Sequence, residues 1–108
     1  MRLWYILDNN HKPVSKPVLE AAEWMEKNLE RKKVAYHELK DLNGDDVNVS
    51  TVFLGLDHSW LGYGKPVLWE TMIFGGEHDQ YQARYTTYEH ALEGHQEALN
   101  LVNNVVSS

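Results

Sequence analysis

The chain has no cysteine, which excludes disulfides and thiolate metal sites and fits a reducing compartment. It also lacks a basic stripe. Ten Lys and Arg stand against 16 Asp and Glu, for a net charge of −6. A general nucleic-acid binder would carry a positive footprint, and none is visible. The acidic residues are spread along the chain, so the dense acidic face of a DNA mimic is missing too. No run approaches the roughly 18 apolar residues of a membrane span, and MRLWYILDNN is too short and polar for a signal peptide. The expectation is a cytoplasmic protein with no membrane partner.

Familiar catalytic signatures are also missing. There is no GxGxxG, no Walker loop, no HExxH and no GxSxG. His58-Ser59-Trp60 does not meet the paired HxT or HxS pattern of two-histidine phosphoesterases. His37 and His90 have no partner at a helical metal spacing. A set of Asp, His and Glu could hold a divalent cation, but no spacing demands one, so neither metal nor cofactor is expected.

What is present is enough for one domain over residues 1–108, with 43% hydrophobic residues to fill a single core. Arg2 to Leu7 reads as a strand and Asp8-Asn9-Asn10 as a turn. Pro17 suits a first helical turn, and Val18, Ala22, Met25 and Leu29 recur at helical spacing. Val34 to Lys40 reads as a second strand. Val47 to Leu56 is the strongest strand, and Val67 to Phe74 is another, stopped by Gly75-Gly76. A short extended piece follows at Tyr81 to Tyr85. Thr86 with Glu89 has the spacing of a capping box, opening a helix to about Val102. Hairpin-length loops make the later strands antiparallel. The expected fold is α+β in β-α-β-β-β-α order: a two-layer sandwich, with about four strands covered by two helices.

The segment Ser50 to His95 concentrates polar groups on apolar elements, which is costly unless something satisfies them. Alternation across an antiparallel pair would put Val52, Leu54, Leu68, Glu70 and Met72 on one face, read as the core side. On the last helix Tyr88, Ala91, Leu92, His95, Leu99 and Val102 form a stripe. Glu70 and His95 would then face one interior space. Arg84 is either a site cation or the structural partner of Glu70. Asp57 either orients the His58 ring or caps the loop. Trp60 and Tyr63, beside Gly62 and Gly64, either form a lid over a planar ligand or pack down on the sheet. His95 itself is either a ligand-binding group or a satisfied core histidine.

TVFLGLDHSW, PVLWETMIFGG and RYTTYEHALEGH together resemble a group of small proteins encoded by tailed phages and prophages. The likeness covers the C-terminal half. It falls on Leu56-Asp57-His58, Glu70-Thr71-Met72, Arg84-Tyr85 and Gly94-His95. The resemblance implies a phage accessory protein acting in the host cytoplasm, and no activity. The leading expectation is a module that binds a small phosphate-bearing or nucleotide-like ligand, for instance by sequestering a host defence signal. Its site residues would be Asp57, His58, Trp60, Tyr63, Glu70, Arg84, Tyr85 and His95. Arg84, His58 and Lys65 would meet phosphate, with Trp60 or Tyr63 stacked on a base. One alternative is a small hydrolase with His58 and His95 as acid and base and Glu70 as orienter. Another is an inhibitor that covers a host enzyme through protein contact. Self-association stays open in all three.

Overall fold

The computed structural model describes residues 3–59 and 64–104. Its elements are β1 (Trp4–Leu7), β2 (Pro13–Lys16), α1 (Val18–Lys27), α2 (Leu29–Lys32), β3 (Lys33–Lys40), β4 (Asp46–Phe53), β5 (Trp69–Phe74), β6 (Gln82–Tyr85) and α3 (Tyr88–Val102). β3 to β6 form one antiparallel sheet in sequence order, a meander. The α+β class and the four-stranded antiparallel sheet match the sequence reading. The first strand does not join that sheet. It pairs with β2 in a separate hairpin, built on a stretch where the sequence suggested only a turn and a helix start.

The hairpin is tied to the main sheet by backbone. Tyr5 N–H donates to Gly55 O at 2.7 Å and Asp57 N–H to Leu3 O at 3.0 Å. Gly55 makes this possible with φ of +78°, a left-handed conformation that favours glycine. A side chain there would also press on the Met25 methyl.

Pro17 precedes α1 rather than opening its first turn. The buried face of α1 is Ala21 with Trp24 and Met25, whereas Val18 and Leu29 are exposed. Trp24 sets that face: its ring meets Phe53 edge-on, with centroids 6.0 Å apart. Among the described residues, no helix is long and apolar enough to cross a membrane.

α3 lies across one face of the meander and packs on all four strands. That face carries the odd-numbered residues of β4 and β5: Val47, Val49, Thr51, Phe53, Trp69, Thr71 and Ile73, all buried. Fully burying each large apolar side chain here contributes about 1.5–3 kcal/mol. The expected core face was the other one. Val52, Glu70 and Met72 lie on the opposite, open face, and of that set only Leu68 is fully buried. Leu68 lies just before the β5 ladder begins at Trp69, so alternation counted through it loses phase.

The core forms two apolar clusters. Leu7, Phe53, Leu68, Trp69 and Ala91 make one. Val47, Val49, Ile73, Ala98 and Val102 make the other. Along β4, β5 and α3, the residues between the clusters are Thr51, Thr71 and His95. A polar seam therefore divides the helix–sheet interface.

Candidate functional site

The seam is fully bonded at its centre. Thr51 and Thr71 are register partners on neighbouring strands, which places their hydroxyls 2.5 Å apart. Thr51 Oγ1 also lies 2.7 Å from His95 Nδ1. His95 Nε2 reaches His37 Nδ1, on the edge strand β3, at 2.8 Å. Burial holds the His95 pKa below the usual imidazole range, and the neighbouring His37 adds to that effect. His95 is thus a satisfied core histidine. Thr51, His95 and His37 have the spacing of a nucleophile, base and orienter. Thr51 is completely buried, however, so no substrate can reach its hydroxyl.

Tyr85 faces the same interior. Its ring fits against Gly94 so closely that a Cβ there would lie 2.1 Å from the ring. Burial pushes its phenol pKa up. The hydroxyl is near enough to Thr71 to be influenced by it, yet makes no hydrogen bond of acceptable geometry. Tyr85, expected at a ligand site, is partly buried and packs against the first apolar cluster.

Glu70 and Arg84 are cross-strand neighbours on the open face. Glu70 Oε2 accepts from Arg84 Nε at 2.9 Å and from Gln82 Nε2 at 2.5 Å. The expected closeness of Glu70 and His95 fails: the sheet itself separates them, because adjacent strand residues point to opposite faces. Asp57 anchors the chain after β4. Its Oδ1 accepts from Ser59 N–H at 2.8 Å and from Val67 N–H at 2.9 Å, and its Oδ2 from the Ser59 hydroxyl at 3.1 Å. Among these bonds, Asp57 does not orient His58. The His58 Nδ1–H instead donates to Leu56 O at 2.6 Å. Lys65 is exposed. Trp60 and Tyr63 lie outside the described residues. Asp57, His58, Glu70 and His95 therefore belong to three separate surroundings. Among the described residues, no three His, Asp or Glu side chains converge as a metal site.

A recess lies on the open face rather than between sheet and helix. It is a groove of about 470 Å³ lined by Lys33, Ala35, Tyr36, Glu38, Ser50, Thr51 and Val52. Tyr36 is half exposed and its hydroxyl donates to Glu38 Oε1 at 3.1 Å. The Lys33 ammonium pairs with no carboxylate among the described residues. A cross-strand row runs Lys33, Val52, Glu70, Arg84, so the Glu70–Arg84 pair lies one strand beyond the groove wall at Val52. The sequence reading missed Lys33, Tyr36, Glu38 and Ser50. For the three on β3 the signal was that strand's polar character, which marks a solvent-facing strand rather than a site. Compared with protein-family models, curated proteins and solved structures, the chain matches none.

Proposed function

We propose that the chain is a non-catalytic binding module for a small nucleotide-like ligand, held in the open-face groove. The observation that carries this reading is the combination at one recess of a cation, Lys33, with no carboxylate partner among the described residues, and a half-exposed ring, Tyr36. The groove volume of about 470 Å³ is in the range of small-molecule sites. Lys33 meets the anionic group, Tyr36 and Val52 cover the ring, and Ser50 and Glu38 bond its hydroxyls. Arg84 extends the cationic side once its pairing with Glu70 is rearranged. Sequestration of a host defence signal, suggested by the phage-like segments, is the specific biological form of this reading.

The test is calorimetric titration with mononucleotides and cyclic dinucleotides. Loss of stacking is worth about 1–3 kcal/mol per base, so Tyr36→Ala is expected to weaken binding tenfold or more. Lys33→Ala is expected to weaken it and to reduce its salt dependence. Ligand recovered after denaturation should be chemically intact. Affinity unchanged in both variants, or a hydrolysed product in the recovered fraction, would sink the proposal.

A further inference from the structure

We propose that His37 and His95 form an acid-released latch that fastens α3 to the edge strand β3. In the seam, two titratable side chains meet here across elements. His37 comes from a strand with an exposed outer edge, and His95 from the buried face of α3. Their rings lie 5.0 Å apart between centroids, inclined by 41°, with one nitrogen of each facing the other.

Only one hydrogen fits between His37 Nδ1 and His95 Nε2. With both rings neutral, each has one N–H, and the contact is complete in either direction. The hydroxyls of Thr51 and Thr71 donate or accept, so the seam follows either choice. One added proton is accommodated by reversing the bonds. A second proton gives two N–H groups pointing at each other and two like charges at hydrogen-bond distance. The contact must then open.

The surroundings offer the charged form no support. β3 presents Ala35 and Leu39 beside His37, β4 presents Val49 and Thr51, and β5 presents Thr71. Tyr85 of β6 lies beyond Thr71, and Glu97 of α3 acts on that phenol rather than on His95. Besides burial, the influence felt by His95 is that of His37, and no carboxylate compensates. Tyr36, Glu38 and Lys40 point to the other face of the sheet.

The experiment combines imidazole NMR titration with amide hydrogen exchange on the full chain. His95 is expected to titrate below the ordinary value near 6.5. In His37→Gln the carboxamide still bonds His95 but carries no charge, so the His95 pKa should rise. Below that ordinary value, amides of β3 and the second half of α3 should lose protection by up to tenfold per pH unit, after correction for intrinsic exchange. Amides at the β4–β5 centre should hold. In His95→Gln the pH-dependent excess should vanish. If that variant does not fold, the NMR arm in His37→Gln decides alone. The proposal is overturned if His95 titrates at or above its ordinary value, if its pKa ignores His37→Gln, or if the excess persists in His95→Gln.

Discussion

Thr51 shows how much one hydroxyl can decide. It bonds Thr71 and His95 at once, in a layer sealed above and below by apolar clusters. Thr51→Val keeps the shape and removes the bond to His95 Nδ1. A buried polar atom left without a partner costs about 1–3 kcal/mol, so chemical denaturation should show a loss of that size. Replacing Thr51, Thr71 and His95 together by apolar residues of similar volume should cost less than the single change, because no orphan remains. A single variant as stable as the parent would mean that the seam contributes nothing. The sequence offered a clue to this layer: threonines in phase with Val47, Val49 and Phe53 on one strand, and with Trp69 and Ile73 on the next. The phase was hidden because Val52, Leu54, Leu68 and Met72 mark the alternate positions as equally apolar. Glu70 then looked buried, and its true companion Arg84 looked like a site residue.

At the scale of elements, local chemistry was readable where it is short-ranged. α3 ends at Val102 as its periodicity indicates, and β5 ends before Gly75. Gly75 has φ of +92°, and a Cβ there would lie 2.4 Å from the Asp46 carbonyl oxygen, so this stop is set by backbone contact as well as conformation. The start of α3 differs by one residue from the capping-box reading. Thr87, not Thr86, is the N-cap, its side chain accepting from His90 N–H at 3.0 Å. Thr86 has the capping-box spacing to Glu89, whereas Thr87 caps through its hydroxyl alone, with His90 at the third position. Thr87→Ala should therefore cost about 1 kcal/mol, and Thr86→Ala little, as measured by thermal unfolding of each. Equal losses would contradict the assignment. β2 was not legible because Pro13-Val14-Ser15-Lys16 is short and largely exposed; its strand character comes from pairing with β1. The groove was not legible for a similar reason. Lys33, Tyr36, Glu38 and Ser50 meet only through the register of β3 on β4, including the irregularity between Lys33 and Ala35.

For the whole molecule, the pH dependence of stability follows from where protons bind. The folded-state pKa of His95 lies below its unfolded value, so the unfolded chain takes up more protons in the interval between them. Stability is therefore full above about pH 6.5 and declines as pH falls toward the folded value, by at most about 1.4 kcal/mol per unit. Asp8 and Asp41 act in a second, lower window. Backbone N–H groups, chiefly of Lys12 for Asp8 and of Asp45 for Asp41, hold both carboxyls below the ordinary range. Their contribution is present above that range and is lost as pH falls through the lowered values. Denaturant midpoints measured between pH 8 and 2 should thus fall in two stages. A flat profile from pH 7.5 to 5 would refute the first.

The His37–His95 contact also has a bearing on colloidal behaviour. The sequence's isoelectric point is about 5.4, below the ordinary imidazole value near 6.5 from which that contact starts to weaken. Net repulsion between molecules vanishes there, and release of α3 would uncover Val47, Val49 and Ile73. Chains without net charge that expose apolar strands beside a free sheet edge associate readily. Acid precipitation of this protein should therefore trap opened molecules rather than salt out folded ones. Material brought through pH 5.4 and returned to neutrality should come back as aggregate.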